Sequence, residues 1–344
     1  PVALPAAFTV AMAYGTERLS SKNILVTKLE AIEEASTMTV ICLDKTGTIT
    51  KNQLSISDPI EYGKFSKEDV FRYAALASRV EDNDQIDLAI IHGAQERKID
   101  LKDYKLKSFK PFDPSTKTSS ALVSFNGKEI TVLKGFPESV MERCKLSASD
   151  KSKINSNIDE MASKGYRTIG VAYGEADKWS FVGVIPMNDK PREDSKKLID
   201  ELRSLNLNVK MLTGDNENTA KVIAKEVDIG ENILDVSALN GKSEKEIAEL
   251  VTKADGFAGV YPKDKYTIVK ALQDSGFHVG MTGDGVNDAP ALKQAEVGIA
   301  VSNATDVAKS AADIVLTSDG IEPIVNAIKE SRSIFERMIT YTLK

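Results

Sequence analysis

The fold class can be inferred outward from one segment, MTVICLDKTGT, at residues 38–48. Residues 38–43 form a largely apolar run, and the run ends at Asp44. A short apolar run bounded by a polar loop is typical of a strand buried on both faces, as in a parallel sheet. Asp44 would then stand at the carboxyl end of that strand, which is the edge where open α/β sheets bind their ligands.

Further short apolar runs, separated by helical segments, extend this pattern toward the C-terminus. The runs lie at 207–212, 277–282, 297–301 and 313–317, and the helical segments at 191–205, 216–227, 263–274 and 288–295. Pro191 is expected in the first turn of its helix. The alternation predicts a parallel sheet covered by helices on both faces. Two runs end at Asp215 and Asp284, so we expect both carboxylates near Asp44.

Residues 57–186 follow a different pattern. The segments 66–80 and 84–97 read as helices, and the alternating segments 120–125, 129–135, 167–173 and 180–185 read as strands separated by turns. These features predict an antiparallel sheet with helices, inserted after the first strand of the parallel domain.

Composition excludes several classes of protein. The chain has 344 residues, a net charge of -6 and no basic stripe, so it is not expected to bind nucleic acid. Cys42 and Cys144 have no metal-binding or redox spacing, and a reducing compartment is the default interpretation. His92 and His278 lie too far apart in sequence to indicate a metal site.

The apolar segment at residues 1–14 leaves two interpretations open. A membrane-spanning helix needs about 20 apolar residues, so this segment is either a short buried helix or the end of a membrane helix. Arg18, Lys22 and Lys28 follow it, as expected at a cytoplasmic exit. We therefore expect the end of a membrane helix. The rest of the chain has no segment apolar enough to cross a bilayer.

The residues after the first strand indicate phosphoryl chemistry. A carboxylate at Asp44 can act as a nucleophile toward phosphorus, and Gly47 allows the backbone to approach phosphate oxygens. A second carboxylate from Asp284 would repel the first unless a hard cation lay between them, which implies Mg²⁺. Lys265 is placed to screen this charge, and Thr213 with Gly214 could hold phosphoryl oxygens.

Together these motifs resemble the P-type ATPases. The matching motifs are DKTGT at 44–48, TGD at 213–215 and TGDGVNDAP at 282–290. That family shares its phosphorylation domain with the haloacid-dehalogenase phosphatases. The resemblance implies a haloacid-dehalogenase-like, Rossmannoid parallel-sheet domain. It also implies an inserted α+β nucleotide-binding domain with an antiparallel sheet.

The resemblance also implies roles for individual residues. Asp44 corresponds to the aspartate that takes the γ-phosphate of ATP. The implied Mg²⁺ and phosphoryl contacts are Asp44, Thr46 (through its carbonyl), Asp284, Asp288, Asn287, Thr213, Gly214, Asp215 and Lys265. The implied nucleotide contacts are Asp87, Phe112, Lys117, Lys134, Gly135, Arg167, Asp189 and Arg192. From the residues alone, Phe112 could equally be a core aromatic and Lys134 a surface charge.

Two other functions remain possible from the sequence. One is a soluble haloacid-dehalogenase phosphatase, and the other is a nucleotide-binding module that does not turn over. Such phosphatases typically carry an acid–base Asp two residues after the nucleophile, where this chain has Thr46. We therefore expect an aspartyl-phosphate that persists, as a pump requires.

Finer features resemble the plasma-membrane proton pumps. Residues 1–5 (PVALP) resemble the unwound part of their fourth membrane helix, and the small insertion is also proton-pump-like. Phe136 stands where the family often has Ala. The predicted domains are a membrane-helix end and stalk (1–22), the phosphorylation domain (23–56 and 187–330), the nucleotide-binding domain (57–186) and a stalk entering the fifth membrane helix (331–344). The expected partners are ATP, an actuator domain and membrane helices, at the cytoplasmic face of the membrane.

Overall fold

The computed structural model describes residues 3–82, 84–176 and 178–343. The proton-pump-like stretch at residues 1–5 lies outside the part whose side chains are described. The chain forms two compact units. One comprises Pro1–Asn52 and Pro191–Lys344, and the other comprises Gln53–Lys190. The predicted insertion, 57–186, lies within the second range.

The first unit is built on an eight-stranded sheet. Numbered in chain order across both units, its strands are β1 (Ile24–Val26), β2 (Val40–Asp44), β10 (Asn208–Leu212), β11 (Ile233–Asp235), β12 (Gly256–Ala258), β13 (Val279–Gly283), β14 (Val297–Ala300) and β15 (Ile314–Leu316). Their order is β1-β15-β14-β13-β2-β10-β12-β11. Every pairing is parallel except β1 with β15.

Helices cover both faces of this sheet. They are α1 (Ala3–Ser20), α2 (Glu30–Thr37), α7 (Ser195–Ser204), α8 (Glu217–Glu226), α9 (Glu244–Lys253), α10 (Pro262–Asp274), α11 (Ala289–Gln294), α12 (Asp306–Ala311) and α13 (Glu322–Leu343). On β2, Ile41 and Leu43 enter the core shared with α1, α2, α7, α8 and α13. Val40 and Cys42 enter the core shared with α9 to α12. This alternation explains why β2 is apolar at consecutive positions.

The second unit is an antiparallel sheet with helices. Its strands are β3 (Thr50–Ile56), β4 (Ile60–Glu61), β5 (Lys105–Asp113), β6 (Thr118–Phe125), β7 (Lys128–Gly135), β8 (Arg167–Glu175) and β9 (Lys178–Pro191). The order is β3-β9-β8-β7-β6-β5, with β4 beside β9, and β5 to β9 pair antiparallel. One face packs against α3 (Lys67–Leu76) and α4 (Gln85–Glu96), and the other against α5 (Pro137–Arg143) and α6 (Ala148–Ser163).

The predicted fold class is therefore confirmed, with one local correction. Pro191 does not begin a helix, because it is the last residue of β9 and α7 begins at Ser195. Pairing in the sheet extends the strand to the proline, and the next residue, Arg192, donates its backbone N–H to Ile49 O at 3.0 Å. Tertiary pairing thus outweighs the local preference of proline for a helix start.

The two terminal helices lie against each other. In α13, Glu330 is buried and pairs with Arg18 and Lys22, from α1 and the turn that follows it, at 3.1 and 2.6 Å. The predicted stalk boundary at 330/331 falls inside α13, which continues from Glu322 to Leu343. Within the described ranges, no helix combines the length and the apolar character needed to cross a bilayer.

Candidate active site

Asp44 lies at the carboxyl edge of the parallel sheet, as the last residue of β2, and only 9% of it is exposed. Its backbone N–H donates to Thr282 Oγ1, on the neighbouring β13, at 2.8 Å. Lys265 Nζ, from α10, donates to Asp44 Oδ2 at 2.9 Å. The backbone and the side chain of Asp44 are therefore held by two elements that are distant in sequence.

Two further carboxylates lie beside Asp44. Oxygen atoms of Asp44, Asp284 and Asp288 all lie within 4.8 Å of one another. Lys265 Nζ also donates to Asp288 Oδ1 at 2.7 Å. The other oxygen of Asp288 accepts the backbone N–H groups of Asp284 and Gly285 at 3.1 and 3.0 Å. Because both residues follow parallel strands that end at the same edge of the sheet, the sequence correctly predicted that Asp44 and Asp284 lie close together.

Burial and crowding change the acidity of these groups. Burial is the main cause that raises the pKa of Asp44 to about 6, with contributions from Asp288 and Asp284 and opposition from Lys265. Burial also raises the pKa of Asp284. For Lys265, burial lowers the pKa, but attraction to Asp44 and Asp288 outweighs it and the net shift is upward. One ammonium faces three carboxyl groups, so negative charge is in excess.

This group of residues fits a hard divalent cation. The donors are all oxygens, and a cation there would offset the negative charge that Lys265 leaves unbalanced. In addition, the buried hydroxyl of Thr48 has no hydrogen-bond partner among the described residues. The loop after Asp44 therefore retains a polar group that a phosphoryl ligand could satisfy.

The carboxylate of Asp215 pairs with a lysine of the loop that follows Asp44. Asp215 lies just beyond β10, next to β2, but its carboxylate is bound by Lys45 Nζ at 2.7 Å and does not belong to the three-carboxylate cluster. Its backbone N–H donates to Thr213 Oγ1 at 3.1 Å. Gly214, between them, leaves open space, since an added Cβ would meet only Val260 O at 3.7 Å. The predicted phosphoryl-binding loop is thus anchored beside Asp44 by the Lys45–Asp215 pair.

The remaining predicted residues of this site lie in two loops. Thr46 and Gly47 follow Asp44, and Gly47 adopts a φ of 76°, which glycine adopts at little cost. Asn287 is exposed in the short turn that precedes Asp288.

In the second unit, two predicted nucleotide contacts bind each other. Lys134 Nζ donates to Asp87 Oδ1 at 2.5 Å, and both side chains are about nine-tenths buried or more. Asp87 Oδ2 also accepts the backbone N–H of Arg79 at 2.9 Å. The interpretation of Lys134 as a surface charge is therefore wrong, because its side chain is buried and paired with Asp87. Two other predicted nucleotide contacts, Arg167 and Asp189, interact electrostatically with each other.

Two aromatic side chains are exposed at one end of the antiparallel sheet of the second unit. Phe112 and Phe136 are 48% and 45% exposed, and their ring centroids lie 6.4 Å apart. Lys117 Nζ lies 5.3 Å from the centroid of Phe136. Gly135 lets the strands approach, because an added Cβ would lie 2.2 Å from Lys117 O. Phe112 is therefore a surface aromatic, paired at the surface with a second exposed ring, and such exposed apolar groups mark candidate binding surfaces.

Phe112 also lines a pocket of about 640 Å³ in the second unit. Its other lining residues include Lys110, Thr118, Ser120, Arg143 and Trp179. Residues 119 and 134, which are register partners, belong to the opposite face of the sheet, because side chains alternate along a strand. The pocket and the Lys134–Asp87 pair therefore lie on different faces.

The last predicted nucleotide contact, Arg192, lies in the first unit. Its Nη2 donates to Gly47 O at 3.4 Å and lies 3.6 Å from an oxygen of Asp319. The structure thus places this side chain on the loop that follows Asp44.

The sequence arguments missed three residues of the site. Lys45 stood in the quoted motif but was given no role, although it binds Asp215. Thr282 binds the backbone N–H of Asp44, and its position beside β2 could have been inferred from the parallel register of β13 with β2. Ser195 donates to Ile49 O, and no local pattern marks it.

Comparison with known proteins agrees with this fold. The sequence profile of the haloacid dehalogenase-like hydrolases matches residues 38–296, which is more than half of the chain. The chain therefore belongs to the haloacid dehalogenase-like hydrolase family. Its two units match the phosphorylation and nucleotide-binding domains of P-type ATPases.

Two curated relatives cover the whole chain. A protein of Methanocaldococcus jannaschii named as a cation-transporting ATPase is 47% identical over 351 residues, which is 100% of this chain and 44% of that protein. A protein of Dictyostelium discoideum named as a plasma membrane ATPase is 40% identical over 354 residues, which is 100% of this chain and 33% of that protein. The chain spans less than half the length of these relatives.

Solved structures show the same fold. Two crystal structures of a zinc-transporting PIB-type ATPase match with TM-scores of 0.74 and 0.71, each at 25% identity. The matches cover 99% and 98% of this chain and 48% of the matched chains.

Proposed function

We propose that this chain is the catalytic core of a cation-transporting P-type ATPase and that Asp44 accepts the γ-phosphate of ATP. The observation that carries the proposal is the cluster of Asp44, Lys265, Asp284 and Asp288 at the carboxyl edge of the parallel sheet. The relative from M. jannaschii, named as a cation-transporting ATPase, supports the same conclusion.

The chemistry follows from the groups around Asp44. Lys265 holds Oδ2, so Oδ1 is the oxygen that attacks the γ-phosphorus. The new bond joins Oδ1 to phosphorus. The bond from phosphorus to the bridging oxygen breaks, and ADP leaves with the electron pair. Lys265 and the loop of Thr213 and Gly214 offset the charge that develops on the phosphoryl oxygens.

Mg²⁺ is the implied cofactor, and Asp44, Asp284, Asp288 and the Thr46 carbonyl are the residues that would hold it. When bound, it would supply positive charge to the transferred phosphoryl group. Asn287 would complete this group of polar residues. The sequence retains no acid–base carboxylate two positions after Asp44, and Thr46 therefore supports a phosphorylated aspartate that persists.

ATP would bind the second unit. The exposed rings of Phe112 and Phe136 provide a surface for the adenine, and Lys117 adds a cation beside it. The Lys134–Asp87 pair, Gly135, Arg167 and Asp189 are the further proposed contacts of this unit, and Arg192 is the proposed contact from the first unit.

A proton is the proposed cargo, and the actuator domain and membrane helices are the proposed partners at the cytoplasmic face of the membrane. The relative from D. discoideum, named as a plasma membrane ATPase, favours this subtype. The test is ATP-driven acidification of vesicles that carry a full-length protein with this chain. Uptake of a metal ion without acidification would contradict the proton assignment.

Labelling with γ-³²P ATP tests the catalytic assignment. Acid-stable label should appear on the wild-type chain in the presence of Mg²⁺ and disappear in Asp44→Asn, because an amide is not a nucleophile toward phosphorus. Asp200→Asn, at an exposed position, is the matched control. Equal labelling of Asp44→Asn and the control would refute the assignment. Steady hydrolysis of p-nitrophenyl phosphate would instead favour a phosphatase.

A further inference from the structure

Contacts from two directions hold the loop after Asp44. This loop, residues 45–49, contains no regular helix, since Thr46 and Gly47 have non-helical backbone angles. Its shape therefore depends on the pair of Lys45 with Asp215 and on contacts made with its carbonyl groups. Lys45 O accepts the hydroxyl of Thr50 at 3.2 Å, a contact within the same segment of chain.

The other contacts come from residues 192–195. Ile49 O accepts two hydrogen bonds, from the backbone N–H of Arg192 at 3.0 Å and from Ser195 Oγ at 2.7 Å. Gly47 O accepts the more distant Arg192 Nη2 at 3.4 Å. Ser195 is fully buried at the start of α7 and lies 146 positions from Ile49 in the sequence.

We propose that Ser195 is a positioning residue for phosphoryl transfer, which fixes the loop of residues 45–49 through the carbonyl of Ile49. The inference rests on the proposed function of Asp44. Reacting groups must be held to within a fraction of an ångström, and a displacement of about 1 Å can cost about 100-fold in rate. Ser195 acts through the loop and does not touch the reacting atoms.

Burial favours Ser195 as the fixed contact of this loop, because it is fully buried at the start of a helix that packs against the sheet. Its hydrogen bond to Ile49 O, at 2.7 Å, and that of the Arg192 N–H, at 3.0 Å, both have ordinary lengths for their donor types. The segment also follows directly on β9, which ends at Pro191 and returns the chain from the second unit.

The experiment compares Ser195→Ala with Ser204→Ala in the complete chain. Ser204 lies on the same helix, is exposed and donates only to Glu201 O, so its variant controls for loss of a helical hydroxyl. Both variants are measured at a temperature where circular dichroism shows them folded. The readouts are the rate of labelling at saturating Mg²⁺-ATP and, separately, the affinity for a fluorescent nucleotide.

We expect labelling of Ser195→Ala to be slowed about tenfold, with nucleotide affinity within about twofold of wild type, and Ser204→Ala to behave as wild type. A merely structural role would lower the melting temperature without slowing the labelling of folded protein. Labelling of Ser195→Ala at the wild-type rate therefore overturns the inference. An unlabelled wild type would refute the proposed function itself, and this inference with it.

If Ser195→Ala does not fold, Ser195→Cys provides the same test. The thiol is close in shape to the hydroxyl but donates only a weak hydrogen bond to Ile49 O. Slower labelling at saturating nucleotide supports the inference, and an unchanged rate overturns it.

Discussion

Lys265 Nζ lies within hydrogen-bonding distance of two carboxylates, Asp44 and Asp288, and all three side chains are buried. A buried carboxylate without a positive partner is unstable, and a third one, Asp284, lies close by. The single ammonium is therefore the main charge that allows these residues to share one edge of the sheet.

Replacement of Lys265 by Met should make the chain more dependent on Mg²⁺. Loss of the ammonium leaves buried carboxylates unpaired, at a cost of about 3 kcal/mol in the free energy of unfolding in EDTA. Mg²⁺ should then raise the melting temperature more in Lys265→Met than in wild type. Lys270→Met, an exposed position on the same helix, is the control. An equal effect of Mg²⁺ in both variants would contradict the charge argument.

Asp87→Asn should destabilise the second unit strongly. The amide preserves the shape but leaves the buried ammonium of Lys134 without its charge partner, at a cost of about 3 kcal/mol. Unfolding by urea measures the loss. In the control Glu175→Gln, the broken pair with Lys128 is exposed, and a much smaller loss is expected. Similar losses for the two variants would show that burial does not strengthen this pair.

At the scale of elements, neighbouring backbone approaches Gly135 closely at one end of the hairpin of β6 and β7. Gly135 pairs with Thr118, and a Cβ on Gly135 would lie 2.2 Å from Lys117 O. The exposed Phe136 and Lys117 adjoin this end directly, and Phe112 is in contact with Phe136.

Gly135→Ala should therefore weaken nucleotide binding at least tenfold, because a Cβ would push Lys117 away from its present position. The affinity for a fluorescent nucleotide measures this effect. Gly127→Asn is the control at the other end of the same hairpin, since that site is open and Asn tolerates its φ of 76°. If Gly135→Ala bound the nucleotide with wild-type affinity, this end of the hairpin would not be part of the nucleotide site.

The sequence predicted the main elements of the sheet but not all their limits. The apolar runs ending at Asp44 and near Asp284 became β2 and β13, because buried parallel strands are apolar at consecutive positions. The predicted helix at 191–205 begins only at Ser195, because pairing draws Pro191 into β9. Strand β5 was not recognised, because most of its side chains face solvent and few of them are apolar.

At the scale of the whole molecule, the chain consists of two units with separate cores, and each contains one buried cysteine. Cys42 lies in the core of the first unit, and Cys144 in that of the second. Burial raises the pKa of Cys42 to about 12 and that of Cys144 to about 11. The rate at which each thiol is chemically modified therefore measures the opening of its own unit.

Neither thiol should react with an alkylating reagent at pH 8 in the native chain, because a raised pKa leaves almost no thiolate and burial blocks access. Both should react in guanidinium chloride. With single-cysteine variants made by Cys→Ser replacement, Mg²⁺ should slow the modification of Cys42 but leave that of Cys144 unchanged. Rapid modification of both thiols in the native chain would contradict the burial of these residues, and equal protection by Mg²⁺ would contradict independent opening.

The amino-acid pattern alone was enough to predict the strand that ends at Asp44, the parallel sheet, the insertion and the proximity of Asp44 to Asp284. These features follow from local periodicity and from the rule that parallel strands end at one edge. Three contacts depend on the folded chain: Lys45 binds Asp215, Lys134 binds Asp87 and Ser195 binds Ile49 O. Those partners lie 170, 47 and 146 positions apart. Their contact depends on strand register and helix packing, which no local pattern along the chain specifies.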